Sequence, residues 1–296
     1  MIRINFLTKN MLMNRLYSFF IVLALLVVSN DLMGQTAKSL FWRSDSLQVN
    51  EIVSETGDQY RKIGHHGPAV ENSHMALRIY FNDSGAVDVY SKSGRGMELM
   101  RYLWYPSAQM QENAGAGCDS YIVGQTVGLG GIALWDGEKE VKLVATKGRT
   151  ARVGDTKKGS YVEMTAYGVE YKGNLVDVSI RIDVTAKSRE AVVTAKELSG
   201  KKVQFLTGIN WHEGQSVKYG EEYISIWGPH PAKEATMPVG AGMFFSDKDF
   251  PSVEKTDDMV RIISSPKSQV QTRIISASTK EAELNSAKRF EAYMMK

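Results

Sequence analysis

Eleven consecutive residues, Gly64-His65-His66-Gly67-Pro68-Ala69-Val70-Glu71-Asn72-Ser73-His74, hold three of the chain's five histidines with one carboxylate and one amide. Imidazole titrates near neutral pH and serves as acid, base or metal ligand. His65 and His66 are adjacent and His74 follows eight positions on, which is not the His-x-x-x-His spacing of zinc sites. Proton transfer is therefore favoured over metal binding. A second set is Asn210-Trp211-His212-Glu213-Gly214, where an indole able to stack on the C–H face of a sugar adjoins an imidazole and a carboxylate. A third, Arg101-Tyr102-Leu103-Trp104-Tyr105-Pro106, joins a guanidinium that can grip a carboxylate with two prongs to Tyr105, a proton donor or base when a cation is near. Trp227-Gly228-Pro229-His230-Pro231 adds an indole and His230 on a rigid turn. Each set has a plainer reading: aromatics packed in the core, histidines that cap turns, a solvated His-Glu pair.

Gly64, Gly67 and Pro68 place the first histidines on a loop. The residues that follow, 75–82, read as a strand. Strand patterns dominate the chain. Val176, Val178, Ile180, Ile182 and Val184 alternate with Asp177, Ser179, Arg181 and Asp183, which predicts one buried and one wet face. Val87 and Val89 alternate with Asp88 and Tyr90 in the same way. Further strands are expected at 121–127, 132–135, 141–145, 150–154, 160–171, 191–196, 203–207, 222–227, 240–245, 259–264 and 270–276. Turns punctuate them at Asn82-Asp83-Ser84-Gly85, Asp136-Gly137, Lys157-Lys158-Gly159, Lys172-Gly173-Asn174 and Ser199-Gly200. Alternation argues against a parallel sheet, so the fold expected is all-β, a large antiparallel β-sandwich. The tail is expected to be helical, with Ser278-x-x-Glu281 as a capping box and Leu284, Ala287, Phe290 and Met294 as its apolar stripe. A short helix is expected at 96–103.

Lys9 and Arg15 precede a short apolar run, 17–28, ended by Ser29-Asn30-Asp31. A bilayer span needs about 20 apolar residues. The pattern is that of a secretory signal, with cleavage near Gly34-Gln35. The expected organisation is a signal peptide over 1–34 and one β-sandwich domain over 35–296, exported to the periplasm, with no membrane span after cleavage. The single cysteine, Cys118, rules out an internal disulfide framework. A net charge of +3 without a long basic run argues against nucleic acid as a partner. The glycine-rich stretches 115–119 and 127–131 lack the Lys-Ser/Thr of a phosphate loop, and no Gly-x-Ser-x-Gly elbow occurs.

The motifs GHHGPAVEN, RIYFNDSGAVDVY, WYP, GAGCDSY, VGLGGIALWDG and DFPSVEK, in that order, resemble a domain-of-unknown-function family encoded in polysaccharide-utilisation clusters of marine and gut bacteria. The resemblance covers essentially the whole mature chain. It implies a galactose-mutarotase-like supersandwich. It also implies an oligosaccharide dehydratase that removes water from the non-reducing-end uronic acid of ulvan-type oligosaccharides, leaving a 4,5-unsaturated sugar. Such a β-elimination needs a base for the C5 proton, an acid for departing O4 and a positive charge or hydrogen-bond donors for the carboxylate. The residue types suit His66, His212, His65 and Tyr105 for proton transfer, and Asn72 and Arg101 for the carboxylate. Trp211, Glu213, Trp227 and His230 would line the sugar. No metal ligands are assigned; the chemistry requires no cofactor and tolerates a divalent cation. The expected partner is an acidic oligosaccharide. A lyase cleaving uronic-acid glycans uses the same elimination, a non-catalytic carbohydrate-binding protein needs only the aromatics, and an epimerase or mutarotase is a third alternative.

Overall fold

The computed structural model describes residues 35–55, 57–103, 106–113, 115–231 and 237–296. The apolar run 17–28, the cleavage position, Trp104 and Tyr105 lie outside them. Three antiparallel sheets are present. The four-stranded sheet runs β1 (Thr36–Ser39), β3 (Ala69–Asn72), β4 (Ala76–Ile79), β5 (Val87–Tyr90). The nine-stranded sheet runs β13 (Ser216–Tyr219), β14 (Tyr223–Gly228), β15 (Val239–Phe244), β18 (Gln269–Ser278), β11 (Ala191–Glu197), β10 (Asn174–Thr185), β9 (Gly159–Tyr171), β8 (Arg149–Asp155), β2 (Glu51–Ser54). The five-stranded sheet runs β16 (Ser252–Lys255), β17 (Met259–Ile263), β12 (Phe205–Asn210), β6 (Ala133–Trp135), β7 (Glu140–Val141). One apolar core takes side chains from all three: Leu77 and Val89, Ile180 and Val193, Phe205 and Val260. The β-sandwich expected from alternation is the fold observed. No helix among the described residues is long and apolar enough to cross a membrane.

The period-two pattern of β10 buries Val176, Val178, Ile180, Ile182 and Val184. Lys172 and Gly173 both take positive φ, 50° and 73°, the backbone that turns β9 into β10 tightly enough to keep them paired. The small sheet obeys the same period with a different outcome. Val70, Leu77, Ile79, Val87 and Val89 enter the core, while Glu71, Arg78, Asp88 and Tyr90 lie on the other face, and all are buried. Charged groups there must be paired to be tolerated.

Several expected elements differ. Residues 69–72, read as loop, form β3, because a strand covered on both faces loses the polar alternation that marks a half-buried one. Residues 121–127 are irregular, with only turns and isolated bridges nearby. The expected strand 203–207 is shifted to 205–210, and 141–145 contributes only its first residue to β7. Residues 96–103 form turns; the helix in that region is α1 (Ala108–Asn113). The tail helix α2 is Ala287–Met294 with Ser286 at its N-cap; Ser278 instead ends β18, and Glu281 donates its N–H to the Ser278 carbonyl in a turn. Phe290 and Met294 of the stripe bury themselves against β14 and β15, where Phe290 lies 5.6 Å from the Trp227 ring.

Candidate active site

The polar face of the small sheet carries a chain of buried charged groups. Arg78 on β4 faces Asp88 on β5 across the hairpin. Its Nε donates to Asp88 Oδ2 at 2.9 Å, and one terminal nitrogen reaches both Asp88 and, at 2.5 Å, Asp119 Oδ1. The Tyr80 hydroxyl donates to the same Asp88 oxygen. Arg78 and Asp88 are sealed from solvent, whereas the Asp119 side chain is 30% exposed. Two carboxylates therefore share one guanidinium, with a surplus of negative charge. Burial pushes the Asp119 carboxyl up to about 6; Arg78 opposes this and Asp88 adds to it. Burial first, then the Asp88 charge, holds the Tyr80 phenol far above its usual range.

Asp119 comes from the irregular segment 115–122, which lies over this face. Gly117 makes that approach available: its N–H donates to Glu98 Oε2 at 2.7 Å, and a Cβ there would stand 2.2 Å from the Ser91 carbonyl. Ser91 and Cys118 then exchange backbone hydrogen bonds of 2.9 Å.

The 64–66 turn sits at the end of β4. His65 and His66 both take left-handed backbone, φ 53° and 62°, a costly conformation outside glycine. Close approaches hold it: a Cβ on Gly64 would overlap the Phe41 ring, and one on Gly67 would lie 1.9 Å from the Ile79 carbonyl. The His66 carbonyl accepts the Phe81 N–H at 2.9 Å. His66 Nδ1 lies 3.0 Å from the Tyr60 carbonyl, which fixes the proton on Nδ1 and the lone pair on Nε2 in the neutral ring. Its ring stacks on Tyr60 at 4.1 Å, and Tyr60 meets Tyr80 edge-on at 4.9 Å. Burial lowers the His66 pKa, against the pull of the Tyr60 carbonyl. His65 is buried, and desolvation, then Arg78 and His66, bring it down to about 3. Its Nε2 has no hydrogen-bond partner among the described residues.

The same segment joins a second pair of histidines. Tyr121, buried, with a hydroxyl that has no hydrogen-bond partner among the described residues, meets the His230 ring at 4.5 Å, and His230 meets His212 at 4.8 Å. The Ile122 backbone sets both rings: its N–H donates to His230 Nδ1 at 3.0 Å, and its carbonyl lies 3.0 Å from His212 Nε2 and accepts from Asn210 Nδ2 at 2.7 Å. Burial, then His212, lowers His230 to about 3, so it is neutral at working pH. Among the described residues, no group of three or more His, Cys, Asp or Glu is placed to hold a metal.

Residues 33–296 match a family described as Domain of unknown function (DUF4861). The chain belongs to this family. No curated protein matches it. Among solved structures, the DUF4861 chain is similar to a 4-alpha-glucanotransferase from Thermococcus litoralis at 8% identity and a TM-score of 0.35, over 78% of this chain and 42% of that one. It is also similar to a Klebsiella pneumoniae protein described as an aldose 1-epimerase, at 7% identity and a TM-score of 0.37, over 88% of this chain and 94% of that one.

The DUF4861 chain brings His66, His65, His212 and His230 to the two flanks of segment 115–122. It does not bring the other expected residues there. Asn72 is buried with its amide spent: Nδ2 donates to the Thr185 and Ser188 carbonyls and Oδ1 accepts from the His74 and Met75 N–H groups, so it pins the β3–β4 turn and holds nothing for a carboxylate. Arg101 is exposed, its guanidinium 5.2 Å from the Tyr102 ring. Trp211 donates to the Thr256 carbonyl and carries the Lys255 ammonium 4.1 Å from its ring centre, which occupies the face meant for a sugar. Trp227 packs in the core against Phe290. Glu213 is exposed on the turn after β12. Tyr105 lies outside the described residues. Arg78, Tyr80, Asp88, Asp119 and Tyr121 are site material that the sequence reading passed over. The signal for two of them was present: the 82–85 turn sets position 78 opposite 88, and an Arg facing an Asp inside apolar strands marks a paired buried charge.

Proposed function

We propose that this DUF4861 protein is a carbohydrate-active dehydratase, removing water from the terminal uronic acid of an oligosaccharide by β-elimination. The observation that carries the proposal is the Arg78–Asp119 pair: a buried guanidinium bonded to a carboxylate whose side chain is 30% exposed and whose pKa burial pushes up to about 6. Arg78, shared by Asp88 and Asp119, orients the Asp119 carboxylate and offsets part of the negative charge that grows as the C5 proton leaves. Asp119, ionised at neutral pH yet with a raised proton affinity, takes that proton. The electron pair forms the C4=C5 double bond and the C4–O4 bond breaks. The proton that lets O4 leave as water comes from the Tyr80 hydroxyl, which turns from Asp88 to reach O4; burial and the Asp88 charge hold this phenol well above its usual range, so this transfer is the demanding step. His66, neutral with its lone pair on Nε2, is the second candidate for the base and aligns Tyr60 and Tyr80 through its stack. The family motifs support the substrate class, a uronic-acid oligosaccharide of the ulvan type.

The test is direct. Protein comprising residues 35–296 is mixed with oligosaccharides ending in a uronic acid, and absorbance of the conjugated enol ether is followed. The signal should rise with wild type and fall by about 100-fold or more in initial rate with Tyr80→Phe and with Asp119→Asn. Oligosaccharide binding by calorimetry with a flat absorbance trace would defeat the proposal, and shortened products would reassign the protein as a lyase.

A further inference from the structure

A cavity of about 300 Å³ opens beside the small sheet, lined by Ser73 and His74 of the β3–β4 turn, residues 92–95, Arg189 and residues 280–283. Its walls carry four cations, Lys92, Arg95, Arg189 and Lys280, against two carboxylates, Glu281 and Glu283. Two of the cations are nine-tenths buried or more. Lys92 donates to the Asn72 carbonyl at 2.6 Å and is met by Glu71 at 2.6 Å. Arg189 bonds Glu281 and Glu283, each at 2.9 Å. Arg95 pairs with Glu283, and the exposed Lys280 donates to the Ala116 carbonyl at 3.2 Å. Glu71 beneath Lys92 and Glu98, which accepts from the Ser93 N–H and hydroxyl, bring the carboxylates to four, so the charge offered to an incoming anion is that of Lys280, which among the described residues bonds a carbonyl and no carboxylate, at the rim of a concavity where attraction to an anion is stronger than at an open surface. His74, brought down to about 4 by burial and then by Arg189 and Arg95, adds neutral hydrogen-bonding capacity and no charge. The placement is informative. Asp88, Tyr90 and Lys92 alternate along β5 and its extension, so the pocket lies on the polar face about 13 Å from the Arg78 pair at strand rise.

We propose that this pocket is an oxyanion subsite, holding a negatively charged substituent, carboxylate or sulfate ester, on a sugar beyond the one that reacts; the assignment of that sugar rests on the dehydratase reading. Lys280 and Arg95 at the rim meet the incoming group, above buried Lys92 and Arg189, each held in place by its own carboxylates. The chemistry common to both substituents is two or three oxygens sharing a negative charge, which ammonium and guanidinium donors accommodate alike.

The test uses sodium sulfate and sodium acetate as probes, each against sodium chloride at matched ionic strength, with thermal unfolding as readout. Wild type should gain about 5 °C in Tm at a probe concentration a hundredfold above Kd. The Arg95→Gln/Lys280→Gln double variant should lose most of the gain, and Lys280→Gln alone part of it. Sulfate stabilises proteins generally by exclusion from their surface, and that contribution cancels in the difference between wild type and variant. A gain with sulfate alone identifies a sulfate-ester subsite; a gain with acetate alone identifies a carboxylate one. Equal shifts in wild type and both variants, or no shift in wild type, overturn the subsite. Turnover of uronic-acid oligosaccharides is read separately: an active enzyme with variant-independent shifts keeps the reaction and loses the subsite. An inactive protein with variant-dependent shifts loses the reaction and keeps an anion pocket.

Discussion

Asp119 shares Arg78 with Asp88, so ionising it adds a second negative charge beside a single buried cation. Its pKa in the folded protein, about 6, exceeds the ordinary carboxylate value of about 4, so ionisation costs the native state more than the unfolded one. That penalty is absent below the ordinary value, grows as pH rises to about 6, and is constant above. Asp119→Asn should therefore make the protein more stable than wild type by about 1–2 kcal/mol at pH 7, after discounting for the partly exposed side chain, and no more stable at pH 3, measured by urea unfolding at both values. The same substitution abolishes turnover if Asp119 is the base, a trade of stability for activity expected of a strained site. In wild type, kcat/KM should climb as pH rises through about 6 and hold a plateau above it; a profile that falls over that interval would require Asp119 to act protonated. How much of this was legible differs by residue. The histidines of 64–74 announced themselves by density. Asp88 alternates with Val87 and Val89, a pattern that marks a wet face when only one side of a strand is covered, and Arg78 lies in a strand whose own sequence gives no sign of its partner, which only the 82–85 turn supplies. Asp119 and Tyr121 lie in the GAGCDSY motif, but nothing in the motif marks them as site residues, since the irregular segment that carries them is shaped by contacts distant in sequence.

At the level of elements, the site depends on a four-stranded sheet with two buried faces, one apolar and one ionic. The long strands β9 and β10 were readable because each has a wet side that alternates with a dry one. β3 was not, since Ala69-Val70-Glu71-Asn72 is buried throughout and its polar residues are satisfied by partners from other elements. The turn that feeds β3 is the joint that matters most. Gly67 lies so close to the Ile79 carbonyl that any side chain must displace β4. Gly67→Ala should lower stability by about 2 kcal/mol or more, seen as a lower Tm, and reduce activity by moving Arg78 and Tyr80. An unchanged Tm would show that the close approach relaxes freely. A Gly at position 65 is the opposite case: His65→Gly relieves a left-handed backbone but leaves the space beside Phe41 empty, so its net effect should be destabilising.

Across the whole molecule, the largest apolar cluster takes side chains from the small, the five-stranded and the nine-stranded sheets, and α2 seals one part of it. With one cluster common to all three sheets, the chain should unfold in one calorimetric transition, with the van't Hoff and calorimetric enthalpies equal; two resolved transitions would mean that the small sheet and its ionic face form a separate unit. The sandwich architecture was legible from strand periodicity alone, but periodicity does not say which irregular segment covers which sheet face, and here that covering, 115–122 over β4 and β5, puts Asp119 on Arg78. The account stands on one reaction, loss of water from a terminal uronic acid. The most direct measurement is the mass spectrum of products formed from an oligosaccharide of defined length. Wild type should form a product lighter by one water, with the number of sugars unchanged, and Asp119→Asn should not. A product of unaltered mass, or two shorter fragments, would contradict it.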